Sequence, residues 1–335
     1  MTADHLSLPG STTACFVGDL HLGDGGRNEV FRTPDARLVE LLEDGARRYD
    51  AIIFMGDAVD LAQGWSTRRV LAAHPAVAAA IASAASRTQV VFIRGNHDWN
   101  VDYEAAFPAA RACVTLELGD VLVQHGHQYD ALCEPHTRSY QRQMVLHHLA
   151  ERALGFEFRT PLHEHYSWQN RAAHWLGHRY GRHRAASAER LRRRGLDERA
   201  EARARFVAYW SRSVWGDPHD AFRPIRAALH AGPHRAIVCG HTHLAGLVDV
   251  DGRHYVNAGS WTFGAAEAAV WDGTGFRVHD VVTGRAIGDE SYRWLVEGVD
   301  PGDFFDWWAQ HHRGRLRFGP PVPPAESRPR ARATS

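Results

Sequence analysis

Short apolar runs that each end in a cluster of polar residues recur through the first 125 residues of the chain. The runs TACFV (13–17), AIIFM (51–55), VVFI (90–93) and VLVQ (121–124) lead into GDLHLG, GDAVD, RGNHDWN and HGHQYD. Unbroken apolar runs of this length are typical of strands that are buried on both faces. Helical patterns lie between the runs, and such alternation predicts an α/β domain. Functional sites in these domains lie beyond the carboxyl ends of the strands, where every one of these polar clusters falls.

Helix and turn signals support this interpretation. Thr33 and Pro34 have the pattern of an N-cap and a first-turn proline, and apolar residues then recur at helical spacing. A second helix is expected over the alanine-rich stretch after Pro75. The strand pattern resumes with AIVC before GHTH (240–243), and Asp-Gly pairs at 251–252 and 272–273 predict two hairpins.

The domain organisation follows from a change of texture in the middle of the chain. Long helical patterns rich in arginine and aromatic residues replace the strand-like runs between about 132 and 233, which predicts a helical insertion, or lid. We therefore expect a core in two parts, 12–131 and 234–290, with the insertion 132–233 between them. A C-terminal helical segment at 291–318 and a disordered, Pro- and Arg-rich tail at 319–335 complete the prediction.

The amino-acid composition indicates which partners and which cellular compartment are expected for the protein. The formal net charge is zero, so no whole-chain electrostatic argument favours nucleic acid or an anionic membrane. The four scattered cysteines lack paired metal spacing and fit a reducing compartment. No run approaches the roughly 20 apolar residues that a membrane span needs. We expect a cytoplasmic protein, with peripheral contact at the inner face of the membrane as the alternative.

The polar clusters contain a set of side chains suited to metal binding. The set comprises Asp19, His21, Asp57, Asn96, His125, His241 and His243. If the chain is extended at Asp19 and His21, residues two apart project to the same side and can bind one ion. Oxygen and nitrogen donors without thiolate suit Mn, Fe or Zn. Seven donors exceed the needs of one tetrahedral ion and suit two divalent ions that share a bridging carboxylate.

The ordered motifs D-x-H, G-D-x-x-D, G-N-H-D, H-G and G-H-T-H resemble those of the calcineurin-like metallophosphoesterase superfamily. All five occur in the family order between residues 18 and 243, and YVNAGSW (255–261) resembles the segment that often follows the last motif. The resemblance implies a four-layer α/β/β/α sandwich, into which the helical insertion predicted above would be placed. It also implies a dinuclear metal centre and hydrolysis of a phosphate ester by in-line attack of a metal-bridging hydroxide.

Individual roles can be carried over by position from this resemblance. One metal would be held by Asp19, His21 and His243, and the other by Asn96, His125 and His241, with Asp57 as the bridge. Mn²⁺ is the expected metal, and Fe and Zn are the alternatives.

The catalytic pair is expected to be His97 and Asp98. His97 matches the family histidine that stabilises the phosphoryl oxygens or protonates the leaving group, and Asp98 would orient and charge it. Asp60 is a candidate for holding a metal ligand through hydrogen bonds.

The substrate class is predicted from a second resemblance. Residues 124–143 resemble the region after the fourth motif in bacterial UDP-2,3-diacylglucosamine pyrophosphatases, which cleave a nucleotide-linked acylated sugar, although the best-known members have arginine at the position of His97. We therefore expect hydrolysis of a phosphodiester or pyrophosphate bond in a small-molecule or lipid-like substrate. Candidate substrate contacts are His127, Asp130, Arg138, Arg142 and Asn257, and a hydrogen-bonding role behind the site is the alternative for His127 and Asn257.

Several other functions remain open from sequence. A phosphomonoesterase acting on nucleotides or phosphoproteins is one, and a nuclease is another, for which a continuous basic groove would be needed. A non-enzymatic scaffold with this fold would be expected to lack metal ligands, whereas the whole set is present. The aromatic C-terminal segment is predicted to cover the core, and a homodimer contact or a membrane contact are its alternatives.

Overall fold

The computed structural model describes residues 4–26, 29–130, 133, 135–154, 179, 182–204, 218–292, 296 and 315. Most of the predicted C-terminal segment (291–318), all of the tail (319–335) and part of the insertion (132–233) therefore lie outside the described residues. Their predicted boundaries stay predictions.

Thirteen strands within the described residues form two sheets. Their bounds are β1 His5–Leu8, β2 Ala14–Val17, β3 Ala51–Phe54, β4 Gln89–Ile93, β5 Arg111–Cys113, β6 Thr115–Leu118, β7 Val121–Gln124, β8 Ala236–Cys239, β9 Gly246–Val250, β10 Arg253–Asn257, β11 Glu267–Trp271, β12 Phe276–Asp280 and β13 Ala286–Ile287. One sheet has the order β13-β12-β11-β2-β3-β4-β5, and the other has the order β1-β6-β7-β8-β10-β9. Strands β2 to β5 are mutually parallel, as are β7, β8 and β10.

Helices lie between several of the strands along the chain. Their bounds are α1 Asp35–Arg48, α2 Leu61–Gly64, α3 Thr67–Ala73, α4 Pro75–Ala85, α5 Tyr103–Ala106, α6 Arg138–Leu154 and α7 Pro218–Ala231, with further helical residues at 182–192 and 197–204. Among the helices that the structure describes, none has the length and apolarity of a bilayer-spanning segment.

The sheets and helices stack in layers. Phe16 of one sheet and Val238 of the other belong to one buried cluster, so the two sheets pack face to face. Helix α1 covers the outer face of the seven-stranded sheet through residues such as Leu38. Helix α7 covers the outer face of the six-stranded sheet through Ile225 and Leu229. The resulting helix–sheet–sheet–helix order confirms the predicted α/β/β/α sandwich.

Most local predictions for the core are confirmed, with one exception at the start of α1. The five apolar runs are strands, α4 begins at Pro75, and hairpins turn at both Asp-Gly pairs. However, α1 begins at Asp35 with Pro34 in the capping position, so Thr33 is not the N-cap. The Thr33 hydroxyl instead donates a hydrogen bond of 2.7 Å to the Ala265 carbonyl, because a tertiary acceptor lies within its reach.

Candidate metal centre

The parallel strands bring their polar ends together at one edge of the sandwich. Asp19 follows β2, Asp57 follows β3, Asn96 follows β4, and His125 and His241 follow β7 and β8. Residues separated by as many as 222 positions therefore meet, as expected for the carboxyl ends of parallel strands.

One group of predicted ligands is formed by Asp19, His21 and His243. The Nε2 atoms of His21 and His243 lie 3.2 Å apart. Nε2 of His243 also lies 3.2 Å from Oδ2 of Asp19. The donor atoms of all three side chains converge on one point and could hold a single ion.

A second group is formed by Asn96, His125 and His241. Oδ1 of Asn96 lies 3.0 Å from Nε2 of His125 and 3.1 Å from Nδ1 of His241. The amide oxygen and the two ring nitrogens therefore face a common point.

Asp57 lies between the two groups. Its Oδ2 is 3.5 Å from Nε2 of His21 and 3.3 Å from Nε2 of His125, which belong to different groups. Its Oδ1 accepts a 2.7 Å hydrogen bond from the backbone N–H of His97. One carboxylate oxygen is thus placed to be shared by two ions.

Three observations indicate that these residues fit divalent metal ions. Donor atoms separated by 3.0–3.5 Å suit ions with bonds of about 2.0–2.1 Å to nitrogen and oxygen. Oδ1 of Asp19 is buried without a hydrogen-bond partner in the described structure, as expected for an atom that serves a metal. A Cβ at Gly240 would lie 2.1 Å from that same oxygen, so the backbone there leaves space for the carboxylate alone.

The histidine nitrogens that point away from the centre face oxygen atoms. The pairs are His21 Nδ1 with Asp60 Oδ2 (3.1 Å), His125 Nδ1 with the Met55 carbonyl (2.8 Å), His243 Nδ1 with Thr262 Oγ1 (3.3 Å) and His241 Nε2 with Asp130 Oδ2 (3.5 Å). Such contacts set the tautomer and orientation of metal-binding imidazoles. They leave Nε2 of three histidines, and Nδ1 of His241, directed at the centre.

The backbone at the site differs from the extended chain that the D-x-H spacing suggested. His21, Asp57, His241 and His243 all have φ between 49° and 63°, in the left-handed region. Non-glycine residues adopt this conformation uncommonly, and it persists where the surrounding structure holds it. His21 is therefore not in extended backbone, so extended i, i+2 geometry does not describe this pair, although Asp19 and His21 do lie together as predicted.

His97 lies beside the first group, and its carboxylate partner differs from the predicted one. The His97 ring packs edge-on against His21, with centroids 4.7 Å apart. Its Nδ1 lies 3.0 Å from Oδ2 of Asp60, the same oxygen that faces Nδ1 of His21. Asp60 therefore orients both a predicted ligand and the predicted catalytic histidine.

Asp98 occupies a different place from the predicted one. Its oxygens accept hydrogen bonds from the backbone N–H groups of Gly95 and Ala58 and from the Tyr103 hydroxyl. Burial, followed by the charge of Asp57, raises the pKa of Asp98 to about 6. The prediction that Asp98 orients His97 is therefore corrected. Consecutive side chains point in different directions here, and Asp98 instead braces the loop that carries Asn96 and His97.

The electrostatics of the centre favour positive charge. Burial raises the pKa of Asp57, but the neighbouring charges of His125 and His97 outweigh it and hold that pKa well below its ordinary value. Burial likewise lowers the pKa of His125, but Asp57 and Asp19 outweigh it and raise the pKa to about 10. The two buried carboxylates thus attract a cation at this point, which a proton or a metal ion can supply.

The predicted substrate contacts have separate placements. His127 is buried beside the second group, and burial followed by the charges of His125 and His241 lowers its pKa to about 2. Asp130 faces His241, as described above. Arg138 and Arg142 are exposed on α6, and no hydrogen bond joins them to the described metal-ligand residues.

The contacts of Asn257 match the second of its two predicted roles, hydrogen bonding behind the site. Its side chain is fully buried. Its Nδ2 donates to the Gly240 carbonyl at 2.7 Å, and its Oδ1 accepts from the Gly259 N–H at 2.9 Å. This side chain therefore ties the loop after β10 to the segment that precedes His241.

Sequence reasoning missed several residues that shape the site. The Met55 carbonyl, Thr262 and Tyr140 each contact a predicted ligand. The pattern around them carries no signal of this role, because a backbone carbonyl or a lone hydroxyl is common everywhere in a chain.

Comparison with known proteins supports a family assignment. A model of the calcineurin-like phosphoesterase family matches residues 12–245, which include all seven predicted ligands. No curated protein matches the chain significantly.

Proposed function

The chain belongs to the calcineurin-like phosphoesterase family of metal-dependent phosphoester hydrolases, and from this premise we propose that it binds two divalent ions and hydrolyses a phosphodiester or pyrophosphate bond. We assign Asp19, His21 and His243 to one ion and Asn96, His125 and His241 to the other. The mixed carboxylate, amide and imidazole donors suit Mn, Fe or Zn, and we propose Mn²⁺ as the first metal to test.

The observation that carries this proposal is the position of Asp57. Its Oδ2 faces a ligand nitrogen of each group, at 3.5 Å from His21 and 3.3 Å from His125. A single mononuclear site would not need a carboxylate between two complete sets of donors. A shared carboxylate is the arrangement expected when two ions act on one phosphoryl group.

The protein side chains would divide the work of the reaction. When bound, a pair of such ions polarises the phosphoryl oxygens and lowers the pKa of water. His97 lies at the edge of the first group, and Asp60 holds its Nδ1, so we assign Nε2 to the phosphoryl oxygens or the leaving-group oxygen. Asp60 also holds His21, so it links the orientation of the proton donor to that of a ligand.

For the substrate, we propose a nucleotide-linked or lipid-like diphosphate, with UDP-2,3-diacylglucosamine as the first compound to test. This proposal is supported by the resemblance of residues 124–143 to the corresponding segment of the enzymes that cleave that compound. Arg138 and Arg142 are exposed on the first turns of α6, and we assign them to phosphate oxygens.

A hydrolysis panel tests the proposal. The chain loaded with Mn²⁺ would be assayed on bis-p-nitrophenyl phosphate, p-nitrophenyl phosphate, UDP-sugars and UDP-2,3-diacylglucosamine. Asp57→Ala should abolish turnover, whereas Asp120→Ala, a carboxylate paired with Arg235 on the surface, should retain it. Absence of metal-dependent turnover on every ester would refute a hydrolytic role. Preference for the monoester over the diester and the diphosphates would refute the proposed substrate class.

A further inference from the structure

Tyr140 connects helix α6 to the second ligand group. It lies in the first turn of α6 and is 9% exposed. Its backbone N–H donates a hydrogen bond of 3.2 Å to Oγ1 of Thr137, and this contact caps the start of the helix. Helix α6 also lies against α2, which directly follows Asp60. Helix α6 therefore begins at a capped first turn that carries Tyr140, and it packs against the helix that follows Asp60.

The Tyr140 hydroxyl contacts the amide of Asn96. Nδ2 of Asn96 donates a hydrogen bond of 3.0 Å to the Tyr140 hydroxyl oxygen. Cys133 Sγ lies 3.4 Å from the same oxygen as a second donor. The Tyr140 hydroxyl oxygen thus accepts a hydrogen bond from the NH₂ group of the Asn96 amide.

This contact anchors the end of the Asn96 amide that lies away from the ligands. Oδ1 lies 3.0 Å from Nε2 of His125 and 3.1 Å from Nδ1 of His241. If the amide were rotated by half a turn, its NH₂ group would face those two nitrogens, and it could not donate electrons to an ion bound there. The Tyr140 hydroxyl can accept from Nδ2 or donate to an amide oxygen, so its contact fixes the position of the Asn96 amide. The ion, which requires an electron-pair donor, would then favour the orientation in which Oδ1 faces the two ring nitrogens.

We propose that Tyr140 is a positioning residue for the metal centre, and that its hydroxyl holds Oδ1 of Asn96 toward the ion bound by His125 and His241. The proposal rests on the dinuclear centre proposed above. It makes affinity for that ion depend on the docking of α6, so the start of the insertion becomes part of the metal site. The ion bound by Asp19, His21 and His243 does not depend on this contact.

The expected effect is a loss of affinity at one of two ions. Tyr140→Phe keeps the ring and removes the acceptor oxygen. Loss of a partner that orients a metal ligand typically weakens binding about 10–100-fold. Tyr129→Phe is the matched control, because it also removes a tyrosine hydroxyl. That hydroxyl donates a hydrogen bond of 2.8 Å to Oε1 of Gln124 and contacts no predicted metal ligand.

The experiment is calorimetric titration of the EDTA-treated full chain with MnCl₂. It is carried out on the wild type, Tyr140→Phe, Tyr129→Phe, Asn96→Ala and the double variant Asn96→Ala/Tyr140→Phe. We expect wild type and Tyr129→Phe to bind two ions alike, and Tyr140→Phe to bind one of them at least about 10-fold more weakly. In the Asn96→Ala background, Tyr140→Phe should change the remaining affinity less than twofold, since the contact is already lost.

The other outcomes overturn the proposal. Wild-type affinity for both ions in Tyr140→Phe would show that the hydroxyl does not orient Asn96. An equal loss in the wild-type and Asn96→Ala backgrounds would indicate general structural damage and would reject a role through Asn96. These readouts are separate from hydrolysis: a wild-type chain that binds two Mn²⁺ ions without turnover would contradict the proposed function and leave the Tyr140 comparison interpretable.

Discussion

The two buried carboxylates near His97 provide a sharp test of how the catalytic histidine is held. Asp60→Asn removes the charge from an oxygen that lies 3.0 Å from Nδ1 of His97 and 3.1 Å from Nδ1 of His21. A positioned proton donor contributes about 10²–10⁴-fold to rate. Part of this rate contribution should remain, because the oxygen of the introduced amide can still accept a hydrogen bond from one of the two imidazole rings. We therefore expect kcat on bis-p-nitrophenyl phosphate to fall about 10²-fold at saturating Mn²⁺.

Asp98→Asn is the matched control, with a different expected result. The Asp98 oxygens accept from two backbone N–H groups and from Tyr103, and none of these is a predicted ligand or catalytic group. An asparagine would direct its NH₂ group at one of these donors and leave a buried group unpaired, at a cost of about 1–3 kcal/mol. The free energy of unfolding should fall by that amount in urea titrations of the metal-free chain, while kcat falls less than about tenfold.

The assay compares kcat at saturating Mn²⁺ with unfolding of the metal-free chain for both variants. The assignment of Asp60 as the partner of His97 would be refuted if Asp98→Asn lowered kcat as much as Asp60→Asn did without loss of stability. It would equally fail if Asp60→Asn kept wild-type kcat once metal was saturating.

Three further predictions follow from the structure. Burial raises the pKa of Glu267 from 4.5 to about 7, so the folded state retains a proton that the unfolded chain releases. The free energy of unfolding should therefore fall by up to about 3 kcal/mol as pH rises from about 5 to about 8. Glu267→Gln should remove this pH dependence, measured by urea titrations at a series of pH values. Gly240→Ala would place its Cβ 2.1 Å from Oδ1 of Asp19 and should weaken Mn²⁺ binding at least about 10-fold, measured by calorimetry. Gly275→Ala is the control, because no atom lies within 4 Å of its Cβ, and it should leave the affinity unchanged. Equal affinities in both variants would contradict the assigned role of Asp19. Addition of Mn²⁺ at about 100 times its Kd should stabilise the EDTA-treated chain by about 2.7 kcal/mol for each ion bound, measured as a shift in unfolding, and Asp57→Ala should reduce this gain.

The sequence by itself determined the fold class and the chemical identity of the centre. Five apolar runs predicted five strands, and the apolar residues of four runs are buried throughout, because a strand buried on both faces needs unbroken apolar residues. The fifth, in β7, alternates between buried and partly buried residues. The residues that follow those runs had to meet, because parallel strands place their carboxyl ends at one edge. Local pattern was therefore sufficient to predict that Asp19, Asp57, Asn96 and the motif histidines lie together.

Only the tertiary structure decided how those side chains are oriented. His97 and Asp98 are neighbours in sequence, yet the His97 ring faces Asp60, and Asp98 faces backbone N–H groups. The residue type does not predict the left-handed backbone conformation at His21, because a histidine keeps that conformation only where the surrounding structure holds it.

The same holds for the contacts behind the ligands. Thr262 meets His243, and Tyr140 meets Asn96, across 19 and 44 positions of the chain. The rotamer of a ligand depends on which donor or acceptor the packed elements bring within about 3 Å of it. That partner comes from another element of the fold, so sequence pattern can predict the ligand, whereas the packing of α6 and of the loop after β10 decides its orientation.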